Sequence, residues 1–186
     1  MNNYKIYAPL VLVMGMLMFL LNYCTKIAAC AFVFTLLMLT VNIISKTFGF
    51  KRALQTISAY VGINILFLSD YNYVVGGQTF EYLVPTSLLA VLFASAALMK
   101  TTSLLESKMG TIKSTFFGLV FAAVIDGIAM SVYFTNYLSA SKICTIFLKE
   151  VSFKCLYAFV ILAAIKIISS ILGKYELQDF RFKLKN

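Results

Sequence analysis

The stretch T-F-F-G-L-V-F-A-A-V-I-D-G-I-A-M-S-V-Y-F-T-N-Y, residues 115–137, is apolar throughout except for one charge, Asp126. At 1.5 Å per residue a helix of this length covers the ~30 Å of bilayer hydrocarbon with some tilt. Asp126 then falls near the midplane, where a carboxylate costs several kcal/mol unless the protein compensates it. The nearest helix with charge at comparable depth is the last, which carries Lys149, Glu150 and Lys154.

The rest of the chain repeats the pattern. Of 186 residues, 61% are hydrophobic and only 12% charged, far from the ~45–50% and ~25% of a soluble domain, so the composition is that of an integral membrane protein. Six apolar segments follow one another, at roughly 7–23, 27–45, 53–69, 83–99, 115–137 and 146–172. The expected fold is therefore all-α, a single domain built as a bundle of six transmembrane helices. The first segment is read as a mature helix rather than a signal peptide, because its apolar run is long and no small-x-small site follows near Asn22.

Lysine and arginine give the orientation. Lys5, Lys46, Lys51, Arg52, Lys100, Lys108, Lys113, Lys174, Arg181, Lys183 and Lys185 fall on one side of the six segments, against Lys26 and Lys142 on the other. Positive residues stay inside, so both termini are expected in the cytoplasm of a multi-pass inner-membrane protein. The net charge of +9 then serves topology and contact with anionic membrane lipid, and no nucleic-acid partner is expected.

Several chemistries are excluded. The chain has no histidine, and Cys24, Cys30, Cys144 and Cys155 form no C-x-x-C pair, which speaks against a metal, a cofactor or a catalytic triad. Gly76-Gly77, in a short loop, has no neighbouring lysine and makes no phosphate-binding motif. An enzyme is not expected.

The polar residues within the segments are the candidate substrate-binding groups. On the fifth, Gly118, Ala122, Asp126 and Ala129 share one face of small residues, which lets another helix approach closely. On the sixth, Glu150 and Lys154 stand at i and i+4, and their depth matches that of Asp126, so the three are expected to form a network. Lys166 lies near the cytoplasmic end, where it snorkels to the headgroups. Asn22, Asn42, Asn64 and Ser87 are further candidates, as pocket donors or as interhelical glue. Aromatic residues make up 15% of the chain, and Tyr60, Tyr133 and Tyr157 lie near these positions, where they sandwich a planar heterocycle or serve as packing and interface anchors.

Residues 39–53, L-T-V-N-I-I-S-K-T-F-G-F-K-R-A, resemble the T-D-x(6)-G-x-x-x-A signature closing the second helix of the queuosine precursor transporters, also called the vitamin uptake transporter family. Leu21-Asn22-Tyr23 is similar to the element ending that family's first helix. The stretch from Gly118 to Asp126-Gly127 is similar to the fifth-helix run ending in V-D-T, and Phe153-Lys154 to the pair opening the sixth. The resemblance implies six helices that carry a 7-deazaguanine base, such as preQ0 or queuine, across the inner membrane for tRNA modification. It keeps polar groups at Asn22, Asp126 and Lys154, and departs from the family at Asn42, Tyr82, Ser95 and Ala123, where groups able to read a purine edge are replaced.

Two alternatives stand beside it. One is the membrane-embedded binding subunit of an energy-coupling-factor vitamin importer, for which Ala90 and Ala94, four apart, suit docking to its energy-coupling partners. The other is a non-transporting assembly protein. The expected partners are a small-molecule substrate, membrane lipid, and either further copies of the chain or energy-coupling subunits.

Overall fold

A computed structural model describes residues 3–68, 73–75 and 78–171. Gly76-Gly77, Ser69 and Leu172 at the ends of two expected segments, and the basic residues Lys174, Arg181, Lys183 and Lys185 lie outside the described residues. Six α-helices and one hairpin make up the described chain: α1 (Asn3–Tyr23), α2 (Ile27–Phe48), α3 (Phe50–Leu68), β1 (Tyr73–Val75), β2 (Gln78–Phe80), α4 (Leu83–Met109), α5 (Thr111–Phe134) and α6 (Ala140–Ile171). All but α3 are long and apolar enough to cross a membrane, the make-up of a multi-pass membrane protein. The first turn of α3 is spent on Lys51 and Arg52, and Gln55 and Asn64 dilute the remainder.

α2 packs against all five other helices. It carries no charge before Lys46, so nearly every face of it is fit for burial. Phe34, Leu37, Met38, Val41 and Ile44 stack along it into the core, with Met14 and Met18 from α1, Ile57 from α3 and Leu88 and Leu98 from α4. The outward faces of α1 and α6 are greasy instead. Leu12, Met16 and Phe19, and Leu156, Phe159 and Val160, lie exposed, as helices that meet lipid require.

The helices run past the apolar segments. α4 reaches Met109, ten residues beyond the expected end at 99, and α5 begins at Thr111, so Lys100, Lys108 and Lys113 stand on helices rather than in a loop. Leu104, Leu105, Glu106 and Lys108 are good helix formers, whereas the polar residues from Lys100 to Ser103 and from Glu106 to Lys108 end the apolar run that hydropathy follows. What stops α4 is Gly110, whose φ of +76° suits glycine and whose N–H is accepted by Glu106 O. Gly49, at φ +94°, separates α2 from α3 in the same way. At the other end α5 closes at Phe134, three residues before the expected 137, and α6 starts at Ala140, six before 146.

Gly118 sets the closeness of α4 and α5. A Cβ there would meet the Thr102 hydroxyl, with Leu98 Cδ1 at 3.0 Å and Leu98 O at 3.2 Å. Gly127 does the same for α6, with Phe147 at 2.9 Å and Val151 at 3.2 Å from an added Cβ. Gly118, on the small-residue face, and Gly127, on the opposite side of α5, thus let two different helices approach closely.

The hairpin pairs Tyr73 with Phe80, Val74 with Thr79 and Val75 with Gln78. No hydropathy signal marks strands this short. Phe80 is buried against Phe134 and Tyr137, at 5.9 and 5.2 Å between ring centroids, and Tyr133 Oη donates to Glu81 O at 2.6 Å. These contacts dock the hairpin on the C-terminal end of α5.

Candidate functional site

Asp126 sits roughly 12 Å in from the end of α5 at 1.5 Å per residue. It is 4% exposed, and Lys154 of α6 is 3% exposed. Lys154 Nζ donates to Asp126 Oδ2 and to Glu150 Oε1, both at 2.5 Å, and lies 4.0 Å from the centroid of the Phe34 ring on α2. One ammonium is therefore held by two carboxylates and an aromatic face, drawn from three helices. Hydrogen bonds between an ammonium and a carboxylate are charge-assisted and stronger than neutral ones. The Glu150 side chain is 18% exposed and brings the network to the edge of a cavity.

That cavity has a volume of about 220 Å³. Leu21 and Asn22 line it from α1, Cys30 and Phe34 from α2, Val84, Ser87 and Val91 from α4, Asp126, Met130 and Phe134 from α5, and Ile146, Glu150 and Lys154 from α6. Asp126, Glu150 and Lys154 are the charged side chains of an otherwise mostly apolar lining. A small number of polar groups in an apolar concavity is the usual make-up of a small-molecule site, and the volume, below the ~300–1,000 Å³ of most ligand pockets, limits the occupant to a compact molecule.

A second cavity, about 350 Å³, lies towards the other end of the bundle. Asn42, Lys46, Lys100, Thr102, Ser103 and Glu106 line it. Asn42 Nδ2 donates to Thr115 Oγ1 at 3.1 Å, and Lys46 pairs with Glu106 at 3.3 Å. Along α2 the first cavity takes Cys30 and Phe34 and the second takes Asn42 and Lys46; between them lie Leu37, Met38 and Val41, all buried. Ser95 and Leu98 on α4 and Leu119, Ala122 and Ala123 on α5 fill the same level.

The structure thus gathers Asp126, Lys154, Glu150, Asn22 and Ser87 around one cavity. Asn22 lines it with its amide N–H given to Met18 O at 3.0 Å. Two expected members are elsewhere. Asn42 is two turns further along α2, at the second cavity, and Asn64 lines neither, its Nδ2 bonded to Tyr60 O one turn back on its own helix. The three tyrosines line neither cavity and serve as packing anchors: Tyr133 holds the hairpin, Tyr157 meets Phe32 at 5.4 Å, and Tyr60 packs over Gly15 of α1. The aromatic rings of the cavity are Phe34 and Phe134. Phe34 shares a face of α2 with Cys30, one turn away, which was the available signal; among many phenylalanines in apolar segments nothing singled it out. Ala90 and Ala94, suited by spacing to an outside partner, are 1% and 0% exposed and pack within the bundle. No family model, curated protein or solved structure matches the chain.

Proposed function

We propose that the chain is a carrier, not an enzyme, that imports a queuosine precursor, a 7-deazaguanine base such as preQ0 or queuine, across the inner membrane through six spans with both termini cytoplasmic. The observation that carries this reading is the Lys154 ammonium clamped by Asp126 and Glu150 at the edge of an apolar cavity of heterocycle size. Ionisable groups inside a membrane bundle mark a substrate path. Asp126 and Glu150 offer acceptors to base N–H groups, and the Phe34 and Phe134 rings offer apolar faces.

The arrangement of the two cavities supports transport over simple binding. The first opens where the α1–α2 and α5–α6 connections lie, the end holding Lys26 and Lys142; the second is lined by Lys46 and Lys100. By the distribution of positive residues the first faces outside. The buried layer at Met38, Leu98 and Leu119 closes the path between them, as alternating access requires of one of its end states. In this reading α3 spans with the others, its Lys51 and Arg52 at the cytoplasmic surface.

The test is rescue. In a bacterium lacking queuosine synthesis and its own precursor transporter, expression of the chain restores queuosine in tRNA when limiting preQ0 or queuine is supplied, and Asp126→Ala abolishes the rescue. Well-expressed, membrane-inserted protein that rescues with neither precursor refutes the assignment.

A further inference from the structure

Two of the four cysteines stand together at the mouth of the first cavity. Cys24 is the first residue after α1, and Cys30 is the fourth residue of α2. Both are half-buried free thiols, and both line the cavity. The chain turns into α2 at Lys26, whose backbone is extended (φ −93°, ψ 127°) and whose carbonyl accepts from Cys30 N–H at 3.0 Å. Side chains in the first turn of a helix lean back toward its N-terminus, so Cys30 is aimed at the connection it has just left. Its Sγ–H donates to Cys24 O at 3.0 Å, and the Cys24 thiol lies within hydrogen-bond reach of the same sulfur.

We propose that Cys24 and Cys30 form a disulfide across the outer mouth of the cavity. The proposal rests on the orientation that places the α1–α2 connection outside, in a compartment where thiol oxidants keep such pairs oxidised. A carbonyl contact alone is what any small, half-buried thiol makes. Here a second thiol stands at the same point, and the cavity opens both to an oxidant. The other two cysteines show the contrast. Cys144 and Cys155 are eleven residues apart on one helix, about 16 Å by its rise, beyond the ~7 Å between Cα atoms that a disulfide spans.

The oxidant is a periplasmic protein that carries a reactive disulfide. One cysteine of the pair, as thiolate, attacks a sulfur of that disulfide, and the other sulfur of the oxidant leaves with the electron pair and takes up a proton. The second cysteine, also as thiolate, attacks the first cysteine's sulfur in the mixed disulfide, and the oxidant's remaining sulfur leaves in the same way. The chain gives up two electrons and two protons, and the oxidant ends as a dithiol. The bond joins the end of α1, where Asn22 lines the cavity, to the turn of α2 that precedes Phe34, so this side of the mouth becomes one covalent wall.

The test counts oxidised cysteines in the full chain, expressed in a bacterium with an oxidising periplasm. Cells are quenched in acid, the protein is denatured and every free thiol is blocked with N-ethylmaleimide; disulfides are then reduced and tagged with a maleimide-linked polyethylene glycol that retards the band. The expected result is two tags on most chains, from a band that runs as a monomer without reductant. Cys24→Ser and Cys30→Ser each lose both tags, whereas Cys144→Ser and Cys155→Ser keep both. A host lacking its periplasmic thiol oxidase gives none until copper phenanthroline is added to the cells. An untagged parent chain overturns the proposal, and so do tags that survive Cys24→Ser or a band that runs as a disulfide-linked dimer. A single cysteine at Lys142 in a Cys-free background, labelled with an impermeant maleimide, separates the causes of failure. An untagged parent with that site labelled from outside refutes the pair alone; with the site labelled from inside, the orientation falls with it.

Discussion

Removing Lys154 and removing Asp126 should differ in cost, although each breaks the same 2.5 Å bond. Lys154→Met leaves two carboxylates facing each other with no cation between them, and Lys154 is 3% exposed, so water does not replace it. Breaking a buried pair in this way costs about 3–5 kcal/mol. Asp126→Asn leaves Lys154 bonded to Glu150, and the asparagine carbonyl still accepts from the ammonium, so the network becomes neutral and loses only the charge assistance of one bond, about 1–2 kcal/mol. The difference, about 1–4 kcal/mol, corresponds to at least roughly 2–4 °C in melting temperature for a chain of this size. Combining both substitutions leaves Glu150 alone at the cavity edge, where water or a proton relieves it. The double variant should thus recover about 1–2 kcal/mol relative to the sum of the single ones. The assay is thermal unfolding of ligand-free protein in one detergent at pH 8, with helix content checked for each variant. If Lys154→Met melts no lower than Asp126→Asn, or the effects simply add, the two-carboxylate clamp is not what holds α5 to α6.

Gly118→Ala should destabilise by about 1–3 kcal/mol, because its Cβ would press on the Thr102 hydroxyl and the Leu98 carbonyl of α4; a melting temperature within a degree of the parent would contradict that close approach. Single cysteines placed in a Cys-free background at Lys142 and Lys108 should label from outside and inside respectively with a membrane-impermeant maleimide, and the reverse pattern would invert the orientation.

The sequence by itself determined the class of the molecule and the seed of its site. Apolar runs of membrane length compel helices because unpaired backbone groups are intolerable in hydrocarbon, and that argument needs no knowledge of neighbours. The Glu150–Lys154 pair follows from the helical repeat alone, and its meeting with Asp126 follows from depth, since charges in one bundle have few places to be compensated.

What the sequence left open were the facts that depend on which faces meet. Asn42 and Asn22 look alike as lone amides in apolar runs, yet one ends at the second cavity and the other at the first. Ala90 and Ala94 carry the spacing of a docking face and are buried within the bundle. The reach of α4 to Met109 was hidden because hydropathy measures transfer into lipid, whereas a helix continues wherever its backbone is unhindered, here until Gly110. Phe34 became the lid over Lys154, and Phe80 the anchor of the hairpin, only through the approach of other helices. Hydropathy and periodicity are properties of one segment at a time. A cavity is the space left over when five helices pack, and its lining is decided by side chains such as Thr102 against Gly118 and Phe147 against Gly127, which set how closely each pair of helices comes together.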